Sequence, residues 1–288
     1  FVTGCNSCKS CNDEKKTSYD ISIDFDDENM LITGVETVRF FNDTDNVLSD
    51  LKFNIFPNAF REGAVYKPIS DGQTHSAYLN GQSFGNMSIS AVFCEEKPLV
   101  FAIVGEDENV LQVNLLSDLY PEESAQIEIT FSVKLANVLA RTGYNDKTVN
   151  LGNFYPVLCA YDSENGFKEC LYYSYGDPFC SEVADYAVTI TLSENYGVAS
   201  SGSLVEKESK NGRATYMYSL ENARDFAFVL STEYEVLSAD VNGVTLNYYY
   251  HSDKEPKRSL DTAVKALTTF ERLFSEYPYS TFSVCETG

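Results

Sequence analysis

A period-two alternation of apolar and polar residues recurs along most of this 288-residue chain and constrains its fold more than any other feature. It is clearest where Tyr19, Ile21, Ile23 and Phe25 alternate with polar residues, and again in the run 127–135. Such alternation is typical of strands with one buried and one wet face. Further strand runs are predicted at residues 33–41, 51–56, 87–93, 99–104, 110–115, 186–192, 214–220 and 226–230. Short strands at this spacing predict a mainly β chain, with a large antiparallel β-sandwich or a saddle-shaped sheet pair.

The period changes near the end of the chain. Apolar residues recur there at three- and four-residue steps, which predicts one amphipathic helix from about residue 257 to 276. Its apolar stripe consists of Leu260, Val264, Leu267, Phe270 and Phe274. Strand runs at 244–250 and 282–285 flank this helix, as in the start of an α/β domain. We therefore expect a linker at 1–16, an all-β domain at 17–237 and a truncated second domain at 238–288.

The chain is strongly acidic, with 21 Lys and Arg against 43 Asp and Glu and a net charge of -22. This charge repels polyanions, so nucleic acid is excluded as a partner. It suits a soluble extracellular protein, or a cleft that attracts the α-ammonium group of a peptide, and the first interpretation is the more ordinary one. The sequence contains no run of about 20 apolar residues, the length that a spanning helix requires.

The first residues, FVTGC, resemble the end of a bacterial lipoprotein signal. Cys5 would then carry a lipid, and residues 6–16 would tether the domain to the cell surface. The alternative is an arbitrary boundary of the chain. Cys5, Cys8 and Cys11 also have the spacing of half a thiolate metal site, but no fourth ligand lies nearby in sequence.

Three further cysteines, Cys159, Cys170 and Cys180, lie in a segment rich in turn-forming residues. If the protein works in an oxidising compartment, a short-loop disulfide between two of them would order this segment. The spacing leaves open which two would pair.

Catalytic motifs are absent from the sequence. Only His75 and His251 occur, far apart along the chain, so the His-Glu-x-x-His pattern of helical zinc sites is missing. The Gly-x-Ser-x-Gly, phosphate-loop and dinucleotide motifs are missing as well. We therefore assign no catalytic and no metal-binding residue to this chain.

Several segments, taken in order, resemble the N-terminal half of the aminopeptidase N-like (gluzincin) zinc metallopeptidases, in a bacterial branch of that family. They are residues 19–24, 31–40, 51–60, 153–156, 181–190, 199–202 and 224–228. Residues 277–279 and 283–287 resemble the approach to the family's Gly-Gly-Met-Glu-Tyr-Pro motif, before which the sequence stops. One departure is that Phe154 and Phe167 stand where the branch usually has Trp.

The resemblance implies a parent enzyme in which a zinc-activated water attacks the N-terminal peptide bond, with a glutamate as general base. Those residues would follow residue 288, so the chain alone is expected to bind no catalytic zinc and to be inactive. Its expected partners are its own downstream catalytic domain and, in the parent, a peptide substrate. Two alternatives remain: an extracellular β-sandwich that acts as a binding or adhesion module, and a family member that has lost its zinc ligands and serves as a scaffold.

Overall fold

The computed structural model describes residues 15–176 and 179–288, and about half of these residues form β-strands. The strands of the first half are β1 Ser18–Asp26, β2 Leu31–Phe41, β3 Leu48–Asn54, β4 Asn86–Cys94, β5 Lys97–Pro98, β6 Phe101–Val104, β7 Val110–Leu119, β8 Ser124–Lys134, β9 Thr142–Tyr144, β10 Val149–Gly152, β11 Val157–Leu158, β12 Tyr161–Asp162 and β13 Gly166–Phe167. Those of the second half are β14 Ala184–Ser193, β15 Gly197–Ser200, β16 Ser203–Lys210, β17 Arg213–Ala223, β18 Ala227–Ser231, β19 Glu235–Val241, β20 Val244–Tyr250 and β21 Thr281–Cys285. The helices are α1 Thr74–Ala77 and α2 Pro256–Leu273, with 3-10 turns at Phe56–Phe60 and Asp71–Gln73.

The largest sheet has eight strands in the order β16-β17-β14-β1-β2-β8-β4-β5. Strand β1 lies at its centre, antiparallel to β2 and parallel to β14, so that Tyr19 pairs with Val38 on one side and with Tyr186 on the other. Two four-stranded sheets, β15-β18-β10-β9 and β11-β3-β7-β6, and the two-stranded sheet β12-β13 complete the β-region. One continuous hydrophobic core joins the three larger sheets, because most inward residues of the alternating strands are apolar.

Two tight hairpins pair β16 with β17 and β19 with β20. Each turns through an Asn-Gly pair, Asn211-Gly212 and Asn242-Gly243, with φ of 55° and 77° in the first and 55° and 90° in the second. Positive φ at both central residues is what a two-residue hairpin turn requires, and Asn and Gly adopt it most readily.

A separate unit lies at the C-terminal end of the chain. Strands β20 and β21 are parallel and are connected through α2, while β19 pairs with the other edge of β20. Its small core of Val241, Val244, Leu246 and Leu267 is distinct from the core of the β-region. The expected boundary at 237 falls inside β19, and the division of the chain into domains stays a prediction.

The fold class predicted from the alternation is confirmed. Residues 61–85 contain only the turn at Asp71–Gln73 and α1. The predicted C-terminal helix is α2, which begins one residue earlier than predicted and ends three residues earlier. Within the described residues, no helix is long and apolar enough to cross a membrane.

Candidate functional site

The described part of the chain contains no group of three or more His, Cys, Asp or Glu side chains that could hold a metal ion. His75 lies in α1, and His251 follows β20 directly. His251 has a charged neighbour in the structure.

That neighbour is Glu286, which follows β21 and holds the loop after β20. One oxygen of its carboxylate accepts hydrogen bonds from the backbone N–H groups of His251, Ser252 and Asp253, at 2.9, 3.0 and 3.2 Å. The Ser252 hydroxyl donates to the other oxygen. Burial alone would raise the pKa of Glu286, but these hydrogen bonds lower it to about 2. Glu286 is therefore an anion that joins the end of β21 to the loop leading into α2.

The His251 ring lies beside this carboxylate. Its side chain is 3% exposed, and Nδ1 is 3.9 Å from Glu286 Oε1. The ring stacks on Tyr234 with 6.2 Å between centroids, and neither nitrogen has a hydrogen-bond partner among the described residues. The sequence offered one weak signal for this cluster, since Glu286 lies in the segment that resembles the approach to a substrate motif.

An apolar groove of about 530 Å³ runs along one side of α2. The helix lines it with Ala263, Ala266 and Phe270, and β21 lines it with Phe282 and Val284. The predicted apolar stripe divides here. Leu260, Val264 and Leu267 pack into the small core of the unit, whereas Phe270 and Phe274 are 58% and 79% exposed.

The C-terminal unit contacts the β-region through hydrogen bonds. The Tyr279 hydroxyl donates to the carbonyl of Asn222 at 3.0 Å, and the hydroxyls of Ser203 and Ser280 are also 3.0 Å apart. Such polar contacts hold the unit against the end of the large sheet, and they leave the outer side of α2 uncovered.

A second polar cluster lies inside the β-region. Glu36 is fully buried in β2, and neither carboxyl oxygen has a hydrogen-bond partner within the described ranges. Burial raises its pKa well above the usual range. It lies near the stacked rings of Tyr19 and Tyr186, whose centroids are 4.9 Å apart. The signal that could have revealed it is a charged residue at an inward position of an alternating strand.

Asp225 organises a neighbouring part of this core. Its carboxylate accepts hydrogen bonds from Asn153 Nδ2 and from the Tyr155 hydroxyl, both at 2.9 Å. The Tyr155 hydroxyl also accepts the backbone N–H of Phe226 at 3.4 Å. These residues come from two of the segments that carry the family resemblance, which the fold brings together as structural hydrogen-bond partners.

The predicted cysteine sites have different outcomes. Cys5, together with Cys8 and Cys11, lies outside the described residues, so its lipidation stays a prediction. Cys159, Cys170 and Cys180 are free thiols in the structure. A disulfide among them also stays a prediction, although the fold places the thiols of Cys170 and Cys180 next to Lys168.

Comparisons with known proteins establish the fold. No protein-family model and no curated protein matches the chain. Among solved structures, an M1 zinc metallopeptidase from Deinococcus radiodurans is similar over 94% of this chain and 57% of its own, with a TM-score of 0.57 and 13% identity. A mutant of the D. radiodurans M1 zinc metallopeptidase bound to a Tyr-Ser-Ala substrate gives a TM-score of 0.56 at 12% identity, covering 94% of this chain and 56% of that one. A mutant two-domain M1 zinc metallopeptidase bound to L-arginine gives 0.55 at 12% identity, covering 94% and 57%.

The fold that the sequence resemblance implied is thus confirmed: this chain has the architecture of the first part of an M1 zinc metallopeptidase. It spans somewhat more than half the length of those structures.

Proposed function

We propose that this chain is the non-catalytic N-terminal β-domain, with the first strands and helix of the catalytic domain, of a zinc-dependent aminopeptidase that removes N-terminal residues from peptides. The observation that supports the proposal most strongly is the order of two structural units along the chain. An all-β region is followed by a β20-α2-β21 unit, and together they match the first part of M1 zinc metallopeptidase structures over 94% of the chain.

The uncovered side of α2 supports this interpretation. Phe270, Leu273 and Phe274 are each more than half exposed on one end of the helix. Burying side chains of this size stabilises a protein by about 1.5 to 3 kcal/mol each, so their exposure indicates a surface that further structure covers. In the proposed parent, the rest of the catalytic domain packs there.

Zinc does not fit the described residues of this chain. His251 and Glu286 are adjacent, but the Glu286 carboxylate is already occupied by backbone N–H groups and a hydroxyl, and the described residues include no third ligand beside the pair. The zinc ligands of the parent would therefore come from residues after 288. The contribution of this chain is to support that site and to cover one side of its cleft.

The test compares this chain with a longer product of the same gene. We expect stoichiometric zinc and release of an aminoacyl reporter only from the product extended past residue 288, whose added sequence should contain a Gly-Met-Glu motif and then His-Glu-x-x-His. Zinc and activity in the 288-residue chain itself would refute the division of labour. An extension without both motifs would favour the binding module, and one that keeps the catalytic fold without its zinc ligands would favour the scaffold.

Attachment to the cell surface is a further part of the proposal. The FVTGC sequence supports it, because it places Cys5 where a lipoprotein signal places its acylated cysteine. Mass spectrometry of the protein purified from membranes of its source would show a lipid on Cys5, and an unmodified Cys5 in that sample would refute the attachment.

A further inference from the structure

Three thiols and a lysine gather where the segment after β13 leaves the β-region. The Lys168 ammonium lies 3.2 Å from Cys180 Sγ, and the Cys170 thiol donates to the carbonyl of Lys168 at 3.7 Å. The pKa of the Cys170 thiol is raised, chiefly by burial and also by the neighbouring Cys180 thiol. The two sulfurs are therefore neighbours before any bond joins them.

The three thiols differ in access. Cys159 is 1% exposed, so a reagent in solution does not reach its sulfur. Cys170 is 7% exposed, and Cys180 is partly exposed. A reagent in solution reaches Cys180 first.

The surroundings give the other two thiols different roles. The Lys168 ammonium lies beside Cys180 Sγ, where its positive charge can stabilise the charge that an attacking sulfur carries in thiol–disulfide exchange. Cys170 is instead held in place by its backbone. Its N–H donates to Asn54 Oδ1 at 2.9 Å, and its carbonyl accepts from Asn109 Nδ2 at 3.0 Å. Cys180 thus has the features of an attacking thiol, and Cys170 those of a fixed resolving thiol.

We infer that Cys180 and Cys170 form a dithiol–disulfide pair that reacts with small disulfides of the glutathione type. The Cys180 thiolate attacks one sulfur of the external disulfide, which forms a mixed disulfide and releases one thiolate. Cys170 loses its proton to water and attacks Cys180 Sγ, which forms the Cys170–Cys180 bond and releases the second thiolate. Two cysteine thiols are thereby oxidised by two electrons, and the external disulfide is reduced to two thiols.

The bond would close a segment that the structure holds only by non-covalent packing. Tyr172 and Phe179 lie inside this segment and pack on Phe56, with ring centroids 6.4 and 4.7 Å from it. The Arg141 guanidinium covers the outer side of Phe179 at 4.4 Å. Oxidation would hold these two aromatic residues against the 3-10 turn at Phe56–Phe60, and reduction would release the covalent constraint. This inference does not depend on the proposed peptidase function.

The experiment uses the full 288-residue chain, first reduced and then equilibrated with mixtures of reduced and oxidised glutathione. Peptide mapping of the alkylated, unreduced protein should show a Cys170–Cys180 link whose fraction rises with the proportion of oxidised glutathione. A disulfide between Cys159 and either Cys170 or Cys180 would overturn the assignment. So would wild-type protein that keeps glutathione on Cys180 while Cys170 is alkylated. A covalent bond between Lys168 and Cys180 would overturn it as well.

Variants separate the roles of the two thiols and the lysine. Cys170→Ser should accumulate glutathione on Cys180, whereas Cys180→Ser should take up none at Cys170, and Cys159→Ser should behave as the wild type. Lys168→Met should slow the first step at pH 7 by about three- to tenfold, because it removes the positive charge beside the attacking sulfur. Lys147→Met, a change at an exposed lysine paired with Glu233, is the matched control and should leave the rate unchanged. Equal rates in the two lysine variants would remove Lys168 from the mechanism.

Discussion

Replacing Glu286 by glutamine tests whether this carboxylate holds the C-terminal unit together. The pKa of Glu286 is lowered from 4.5 to about 2. Each pKa unit corresponds to about 1.4 kcal/mol, so the ionised side chain contributes roughly 3 kcal/mol at neutral pH. Its side chain is 22% exposed, and screening by solvent reduces this contribution. We expect Glu286→Gln to lower the free energy of opening of the unit by about 1 to 3 kcal/mol at pH 7.

The sign of the pH dependence follows from the direction of the pKa change. Because the folded-state pKa of Glu286 is lowered, its stabilisation is complete above about pH 4.5 and is lost as the pH falls toward 2. The difference between wild type and Glu286→Gln should therefore be constant from pH 5 to 7 and shrink below pH 4.5. Hydrogen exchange of the amides in β20 and β21 measures it locally, without requiring the whole chain to unfold in one step.

The matched control is Glu276→Gln, which removes the same charge from an exposed glutamate of the same unit. It should change the exchange of β20 and β21 very little. Equal effects of the two substitutions at pH 7 would refute the reasoning, because the loss would then come from net charge. A difference that stays the same at pH 3 would refute it too, because it would not depend on ionisation of Glu286.

Three further outcomes are expected. Burial raises the pKa of Glu36, so the stability of the wild type should fall by up to about 1.4 kcal/mol per pH unit as the pH rises above about 4.5. Urea unfolding measures this slope. The slope should be absent in Glu36→Gln and present in the control Glu128→Gln, which changes an exposed glutamate. Tyr155→Phe should cost about 1 to 2 kcal/mol in the same assay, because it leaves the Asp225 carboxylate without its hydroxyl donor, and a smaller loss would show that water replaces the hydroxyl. The exposed Phe270 and Phe274 predict that the isolated chain self-associates. Substituting both by serine should reduce this association in light scattering without lowering the melting temperature, and an unchanged oligomeric state would show that the groove along α2 does not mediate it.

The sequence determined the local structure of this protein. The alternation from Tyr19 to Phe25 produces β1, and the three- and four-residue spacing from Leu260 to Leu267 produces the part of α2 that packs on its own sheet. These features depend on side-chain periodicity within one element, which can be read without knowing the partner. The family resemblance added the overall architecture, because it concerns the order of many segments rather than the residues of one.

Tertiary structure alone decided which distant residues meet. Parallel pairing of β1 with β14 brings Tyr19 beside Tyr186. Because side chains alternate along β2, Glu36 points inward, into a core whose other residues are apolar. The same is true of Glu286 with Ser252, and of Cys170 with Cys180, where spacing in the chain left the pairing open. The physical reason is that these contacts depend on strand order and register, which are set by burial over the whole domain, whereas sequence periodicity reports only which face of each element is buried.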